Sequence, residues 1–375
     1  MATAPVAEPV PVTFVSSHAG SGGSEHYLEL LLDFLEPAWV AGVISLADGP
    51  FVARLRAAGH SVAVVETGNR LSLLASAMRV RRLLGARPQA VVHANGVKAA
   101  LVTALATPGL GIPIVWVKHD FSWDGPLARG VAARCDQVVG VSAAVTATFR
   151  RGRERVRVVH NGIPPIERDR DAARELVRAL VGGDGDVVVL VGRLHPAKGQ
   201  AELVEAAPRV LERRPGTRFL LLGGDDPHEL AYGRRVRARI ADLGLERDVA
   251  VRGHHPDAPG VIAGCDLLAM PSGPDERGMG REGFGIVGIE AMAVGTPVVG
   301  YAGGALPEVL GDCAVLVPEG DRQALSAAIL ELLEDPARRA ELATRGRQLA
   351  RERYSLEATV SAMRERYAEA ASDSG

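Results

Sequence analysis

The chain alternates short runs of β-branched and other apolar residues with segments of helical pattern over most of its length. The runs are Val10–Val15, Gly42–Leu46, Ser61–Val65, Ala90–His93, Ile114–His119, Gln137–Ser142 and Val156–His160, then Val187–Gly192, Phe219–Gly223, Val249–Arg252, Leu267–Met270, Val298–Tyr301 and Cys313–Val317. Apolar runs of this length suit strands that are buried on both faces, and their alternation with helices indicates parallel sheets. We therefore predict an α/β fold with doubly wound sheets.

The length of 375 residues exceeds what one hydrophobic core usually supports, so we expect two domains. The clearest break is the segment 161–171, where Pro164 and Pro165 exclude helix. We predict an N-terminal domain over 1–165, a C-terminal domain over 166–354 and a helix over 355–375 that crosses back to the first domain. In such sheets, ligands bind where the carboxyl ends of the strands meet, here in a cleft shared by both domains.

Composition favours an intracellular globular protein. Apolar residues make up 47% and charged residues 23% of the chain, which is ordinary for a soluble protein. Cys135, Cys265 and Cys313 lie far apart, which argues against a disulfide framework or a zinc site and favours a cytoplasmic setting. The N-terminus lacks a signal-peptide pattern, and the apolar stretch Ala99–Val117 is interrupted by Pro and Gly, which indicates a helix, a turn and a strand.

The strongest motif is Arg281–Gly295, REGFGIVGIEAMAVG, which places Glu282 and Glu290 eight residues apart. Glu282 lies in a glycine-flanked loop, and a helix is expected from about Gly285 until Gly295 stops it. The start of this helix offers an oxygen-rich ligand the backbone N–H groups of Gly283, Phe284 and Gly285. A ligand with a sugar at one end and a ribose at the other would use both carboxylates. The alternative is a capped helix with two surface glutamates.

Two further motifs follow predicted strands. Val191–Gln200, VGRLHPAKGQ, brings Arg193 and Lys198 to one turn, and two cations suit a diphosphate whose charge grows as a sugar leaves it. Gly20–Glu25, GSGGSE, is a glycine-rich turn between a strand and a helix, where the backbone can approach a phosphate closely. Taken singly, the first is also compatible with a solvated turn and the second with a degraded dinucleotide fingerprint.

The pattern E-G-F-G-x4-E-A-M-A-x-G-x-P-V-V resembles the E-x7-E signature of the retaining glycosyltransferases of family 4, and the resemblance spans Val10 to about Tyr354. It implies the GT-B fold, with two Rossmann-like domains facing across a central cleft. It also implies a retaining hexosyltransferase in which Glu282 holds the transferred sugar and Glu290 the nucleotide ribose. Arg193 and Lys198 would bind the diphosphate of a nucleotide-sugar donor.

The resemblance also assigns residues of the first domain and the expected cofactors. Gly22 and Gly23 would lie near the donor phosphates, and His119, at a strand end, would face the donor sugar. We expect no metal and no other cofactor, since cationic side chains and helix N-termini take the metal's place. The two D-x-D matches, Asp169–Asp171 and Asp184–Asp186, are interpreted as turns.

Other activities stay open on the sequence. A related GT-B epimerase or phosphorylase, or a non-catalytic sugar-nucleotide-binding module, would carry similar motifs. An NAD-dependent oxidoreductase needs a clear G-x-G-x-x-G and an acidic residue about 20 residues onward, for which GSGGSE and Glu36 are a poor match. We expect the acceptor to be a small-molecule or lipid-linked hydroxyl. The unusual stretch Gly273–Gly280, GPDERGMG, leaves the donor open.

Basic residues are concentrated in the first half, with sixteen Lys and Arg against five Asp and Glu from Arg54 to Arg157. Such a segment suits a phosphorylated acceptor or an anionic membrane. The alternative is a solvated, arginine-rich surface of a soluble enzyme. In the helical pattern Leu71–Leu84, however, Arg81 falls on the same face as Leu74 and Met78, which argues against an amphipathic membrane helix. We expect a soluble acceptor without peripheral membrane association, and the chain has no nucleic-acid-binding motif.

Overall fold

The structure is a computed structural model that describes residues 8–20, 22–68, 70–86, 90–149, 155–275, 278 and 280–373. The chain divides into two compact units, one of Met1–Gly162 with Leu356–Gly375 and one of Ile163–Ser355. The C-terminal helix therefore belongs to the first unit. Each unit is described by itself below.

The first unit is built on a seven-stranded parallel sheet with the order β3-β2-β1-β4-β5-β6-β7. Its strands are β1 Val12–Ser16, β2 Val40–Ser45, β3 Val62–Val64, β4 Val91–Asn95, β5 Ile114–Lys118, β6 Gln137–Gly140 and β7 Val156–Val158. Its helices are α1 Gly23–Phe34, α2 Pro50–Ala57, α3 Arg70–Gly85, α4 Val97–Ala106, α5 Pro126–Ala132 and α6 Ala143–Thr146, with α15 Leu356–Ser372 from the chain's end.

The second unit contains a six-stranded parallel sheet with the order β10-β9-β8-β11-β12-β13. Its strands are β8 Val187–Val191, β9 Arg218–Leu222, β10 Val249–Arg252, β11 Leu267–Met270, β12 Val298–Tyr301 and β13 Ala314–Val317. Its helices are α7 Arg170–Val181, α8 Gln200–Arg213, α9 Leu230–Asp242, α10 Ala258–Ala263, α11 Ile286–Val294, α12 Leu306–Leu310, α13 Arg322–Glu334 and α14 Pro336–Arg353.

The sheets carry the hydrophobic cores, as the apolar runs predict. Trp116 on β5 and Phe219 on β9 are fully buried, and burial of one large apolar side chain contributes about 1.5–3 kcal/mol. Every predicted run coincides with a strand, and Ala99–Val117 forms α4, a turn and most of β5. The α/β fold class is confirmed.

One predicted loop is shorter in the structure. The proline pair predicts no helix in the segment 161–171, but α7 begins at Arg170. The Asp169 side chain accepts hydrogen bonds from the backbone N–H groups of Asp171 and Ala172, and so caps this helix. Pro164 and Pro165 exclude helix only at their own positions and just before them. A helix can therefore begin at Arg170, five residues after Pro165, with Asp169 as its cap.

Candidate active site

A cluster of polar side chains surrounds Glu282 in the second unit. The Glu282 Oε1 atom lies 2.5 Å from Lys198 Nζ and accepts a hydrogen bond of 3.1 Å from the Ser272 hydroxyl. Lys198 follows β8 and Ser272 follows β11, and these strands are neighbours in the sheet. Because parallel strands end at the same edge, two motifs that are 84 residues apart meet there.

Two glycines bring the backbones of this cluster together. Gly199, with φ +74°, directly follows Lys198, and a Cβ atom there would lie 2.0 Å from the Pro271 carbonyl oxygen. Gly304, with φ +57°, would place a Cβ atom 2.4 Å from the Glu282 carbonyl oxygen, which also accepts a hydrogen bond from Ala305 N–H. Side chains are excluded at both positions, so the loop geometry depends on glycine.

Arg193 is held by a buried carboxylate. Its Nη1 atom lies 2.6 Å from Asp226 Oδ2, and the Asp226 side chain is only 4% exposed whereas that of Arg193 is 53% exposed. The other Asp226 oxygen accepts the backbone N–H of His228. Asp226 follows β9, the neighbour of β8, so it orients the Arg193 guanidinium at the same sheet edge, while about half of the Arg193 side chain is exposed.

Helix α11 begins as the sequence predicts. Gly285 is its N-cap in the left-handed region, and Gly295 ends it at φ +80°. The Phe284 side chain is buried and packs edge-on against Tyr354, with ring centroids 5.7 Å apart, so only its backbone is suited to a ligand. Glu290 lies on this helix, and burial raises the pKa of its carboxyl to about 7.

The glycine-rich turn of the first unit is organised around Glu25. This buried carboxylate accepts hydrogen bonds from the Gly20 N–H at 3.2 Å and the Ser24 hydroxyl at 2.7 Å. A Cβ atom at Gly22 would lie 2.9 Å from Glu25 Oε2, whereas one at Gly23 would meet nothing within 4 Å. Gly22 is therefore needed by the turn itself, and Gly23 leaves open space at the start of α1.

His119 directly follows β5 and is joined to the end of β4. Its Nε2 atom lies 2.6 Å from Asn95 Oδ1, and the ring of Tyr27 packs edge-on at 5.0 Å. Burial lowers the pKa of the His119 imidazole to about 4.

The sequence motifs alone did not identify Asn95 or Asp226. The available signal was their position, because each follows or ends a strand beside the one that carries the predicted residue.

One arginine of the basic segment, Arg81 on α3, is bound within the protein. Arg81 Nη1 donates to the carbonyl oxygens of Ala106 and Pro108, so it binds the C-terminal end of α4. Leu74 and Met78 on α3 are exposed.

Arg87, Arg150, Arg151 and Arg153 lie outside the described residues, as do Glu276, Arg277 and Met279 of the unusual stretch. No helix of the described ranges is both long and apolar enough to span a bilayer.

Comparisons with known proteins show the family of the chain. Residues 21–166 match the family Glycosyltransferase Family 4, and residues 185–335 match Glycosyl transferases group 1. A GDP-mannose-dependent alpha-(1-6)-phosphatidylinositol monomannoside mannosyltransferase of Mycolicibacterium smegmatis is 32% identical over 291 residues, which cover 73% of this chain and 75% of that protein. The chain belongs to glycosyltransferase family 4. This assignment decides against the NAD-dependent oxidoreductase and the non-catalytic module.

Other relatives of this family 4 glycosyltransferase differ in substrate. A D-inositol 3-phosphate glycosyltransferase of Saccharomonospora viridis is 30% identical, with 75% of this chain and 70% of that protein covered. A GDP-mannose-dependent monoacylated alpha-(1-6)-phosphatidylinositol monomannoside mannosyltransferase of Corynebacterium glutamicum is 34% identical, but the match covers only 46% of this chain and 44% of that protein.

A solved structure extends the similarity to 95% of the chain. The crystal structure of HepE from Anabaena with UDP and glucose has a TM-score of 0.85 and 26% identity, and the match covers 95% of this chain and 99% of that one. Together with the two parallel sheets, it confirms the predicted GT-B class for this glycosyltransferase.

Proposed function

We propose that the enzyme transfers a hexose with retention of configuration from a nucleotide-diphosphate sugar to a hydroxyl of an inositol-containing acceptor. The observation that carries the proposal is the pair of Lys198 and Glu282 at the strand ends of the second sheet. A lysine suits the donor diphosphate and a carboxylate suits sugar hydroxyls. Their contact supports a site in which one small region binds both the diphosphate and the sugar.

The two cations have complementary tasks. Arg193 and Lys198 are both partly exposed, and together they offset the charge of a diphosphate. That charge increases while the bond to the sugar breaks, so the cations stabilise the transition state more than the bound donor. The backbone at Gly22, Gly23, Gly283, Phe284 and Gly285 would bind donor oxygens, and Glu290 the ribose.

Retention is best explained by reaction on one face of the sugar. The Glu282 carboxylate is hydrogen-bonded by Ser272 and paired with Lys198, which makes it a weak nucleophile. In the proposed step, the bond from the anomeric carbon to the diphosphate oxygen breaks and the acceptor oxygen bonds to the same face. The acceptor proton passes to the departing diphosphate, so Arg193 and Lys198 stabilise the leaving group throughout.

The relatives suggest substrates to test. Two of them are named as GDP-mannose-dependent enzymes that act on phosphatidylinositol monomannosides, and others as D-inositol 3-phosphate glycosyltransferases. We propose GDP-mannose as the donor. A UDP-hexose is the second candidate, because the similar HepE structure contains UDP and glucose.

The test is to incubate the purified enzyme with each donor and each acceptor, measure nucleotide release, and identify products by mass and by the anomeric carbon–hydrogen coupling. We expect GDP release that depends on an acceptor and a product with the donor's anomeric configuration. An inverted product contradicts the mechanism. An epimerised nucleotide sugar or a free sugar phosphate would instead identify the enzyme as an epimerase or phosphorylase.

Activity should persist in EDTA without added metal. The proposed site uses cationic side chains at the diphosphate, and three of the four D-x-D aspartates have structural partners: Asp169 caps α7, Asp184 pairs with Arg178 and Asp186 pairs with Arg214. The rate of transfer is measured before and after chelation. A rate that collapses and returns only with Mn²⁺ or Mg²⁺ contradicts the proposal.

Nucleotide affinity should depend on pH through Glu290. Ribose hydroxyls donate to a carboxylate, so binding would draw the proton off a group whose pKa is about 7 in the free protein. We expect the dissociation constant of GDP, or of UDP if that is the better ligand, to be about tenfold weaker at pH 6 than at pH 8. Calorimetry of the wild type and of Glu290→Gln measures it.

The variant also provides an internal control. The pKa of Glu290 is raised on folding, so its contribution to stability is present at low pH and is lost as pH rises through about 7. Glu290→Gln should therefore melt higher than the wild type at pH 8 and equally at pH 4, below the ordinary pKa of 4.5, while its nucleotide affinity no longer changes with pH. Glu331→Gln, an exposed substitution on α13, should match the wild type in both measurements. An unchanged pH dependence in Glu290→Gln rules out the ribose role.

We propose a cytoplasmic location and no binding to membranes or nucleic acid. The three cysteines are buried free thiols, which suits a reducing compartment. Arg81 donates a hydrogen bond to the carbonyl oxygen of Ala106 at the end of α4, so its guanidinium already has a partner within the protein. Co-sedimentation with anionic vesicles tests the second point, and binding that fades with salt would contradict it.

A further inference from the structure

The side chain of Asn95 bridges three elements at the carboxyl edge of the first sheet. Asn95 is the last residue of β4 and is 1% exposed. Its Oδ1 atom lies 2.6 Å from His119 Nε2, beyond the end of β5, and its Nδ2 donates to the Ser24 carbonyl oxygen of α1 at 3.0 Å. One amide therefore fixes the imidazole relative to both β4 and α1.

The backbone of Asn95 is itself restrained. Its carbonyl oxygen accepts hydrogen bonds from the Ser17 hydroxyl at 2.8 Å and the Ser17 N–H at 3.3 Å. The Ser17 hydroxyl oxygen in turn accepts the N–H of Ala99 at the start of α4. A Cβ atom at Gly96 would lie 2.8 Å from this hydroxyl oxygen. The backbone that carries the Asn95 amide therefore cannot shift without breaking these hydrogen bonds.

The partners of the amide determine where the imidazole carries its proton. The Ser24 carbonyl oxygen only accepts hydrogen bonds, so the amide group that faces it is the NH₂. The group that faces His119 is then the amide oxygen, which accepts a hydrogen bond and cannot donate one. His119 Nε2 must therefore be protonated, and in a neutral ring Nδ1 carries the lone pair.

The surroundings keep the ring neutral near pH 7. Burial lowers the pKa of His119 to about 4, and Lys118 acts in the same direction, while Asp120 and Glu25 oppose it. His93, two residues before Asn95, is fully buried, and burial lowers the pKa of its imidazole to about 3. His93 is therefore neutral near pH 7 and adds no positive charge beside His119; its Nδ1 atom lies 2.7 Å from the Tyr367 hydroxyl oxygen.

We infer that Asn95 is a positioning residue that holds His119 in the Nε2–H form, so that Nδ1 accepts a hydrogen bond from a substrate hydroxyl and does not supply a proton. The inference deepens the proposed function and rests on it for the identity of the substrate. In this role, His119 selects a substrate hydroxyl by accepting a hydrogen bond from it. The proton of the acceptor is still transferred to the leaving diphosphate.

The first test uses the unmodified protein. Long-range proton–nitrogen spectra of ¹⁵N-histidine-labelled enzyme report the tautomer of each of the ten histidines, and the His119 signals are assigned by their loss in His119→Gln. We expect an Nε2–H imidazole that does not titrate between pH 5.5 and 8.5. An Nδ1–H tautomer, or a ring that is charged at pH 7, would overturn the inference.

The second test changes the charge beside the ring. Asn95→Asp keeps the acceptor oxygen but places a carboxylate next to Nε2–H, which raises the pKa of His119. The ratio of kcat/KM between this variant and the wild type should fall about tenfold from pH 8.5 to pH 6, as His119 becomes charged and Nδ1 loses its lone pair. Using the ratio removes pH effects common to both proteins, including that of Glu290.

A double-variant cycle separates positioning from structure. In a His119→Gln background, Asn95→Asp should leave the pH dependence of kcat/KM unchanged, because the titrating ring is absent. A decline that persists in that background would show that Asn95 acts independently of His119 and would overturn the inference. The spectra do not need a substrate, so the expected tautomer combined with no transfer from any donor would contradict only the proposed function.

Discussion

Glu282→Gln is expected to reduce kcat by about 10²–10³-fold while the enzyme remains folded. Glutamine keeps the shape of the side chain and a carbonyl oxygen for the Ser272 hydroxyl, but it removes the negative charge opposite Lys198. The sugar hydroxyls would then lose an ionised acceptor where the transition state needs one. The measurement is kcat at saturating donor and acceptor.

The fold should tolerate this change for a local reason. The Glu282 backbone is fixed by the hydrogen bond from Ala305 N–H and by the close approach of Gly304, neither of which involves the side chain. The pair with Lys198 is partly exposed, so its loss should cost less than about 1 kcal/mol of stability. Thermal unfolding measures this.

Glu205→Gln is a matched control for Glu282→Gln. Glu205 on α8 pairs with Arg239 on α9 at 2.6 Å, so the same substitution breaks an ion pair of similar length in the same unit. This control should retain wild-type turnover. If Glu282→Gln also turned over at the wild-type rate, Glu282 would have no role in the reaction.

Arg193→Ala is expected to lower kcat/KM about 30- to 1,000-fold, which corresponds to about 2–4 kcal/mol of transition-state stabilisation. The variant should also lose stability. Asp226 is only 4% exposed, and without Arg193 its carboxylate would keep the His228 N–H but lose its ionic partner. A buried carboxylate without its counterion destabilises a fold strongly, so activity alone would not separate the two effects.

The double variant Arg193→Ala/Asp226→Asn separates them. A neutral amide at position 226 no longer requires a cation, so the double variant should regain much of the melting temperature but none of the activity. Arg218→Ala serves as the matched control. Arg218 pairs with Asp248 at 2.7 Å but lies at the first residue of β9, the opposite edge of the same sheet. Activity that returned together with stability in the double variant would make Arg193 a structural residue.

The strands could be predicted from the sequence because a strand that is buried on both faces is a nearly continuous run of apolar residues. The runs at Val187–Gly192 and Leu267–Met270 became β8 and β11. The helix after Glu282 was also predictable from local chemistry, since Gly285 and Gly295 adopt the left-handed conformations that start and end it.

The contacts of the site required the tertiary structure. Lys198 and Glu282 are 84 residues apart, and only the strand order of the sheet makes their loops neighbours. Asp226 and Asn95 were not identified because a lone polar residue at a strand end has no distinctive pattern, and its partner comes from the adjacent strand. The sequence by itself determined the fold class and the family, and it predicted the chemical types of the site residues. The tertiary structure decided which of these side chains meet, because hydrogen bonds between strand ends depend on strand order rather than on distance along the chain.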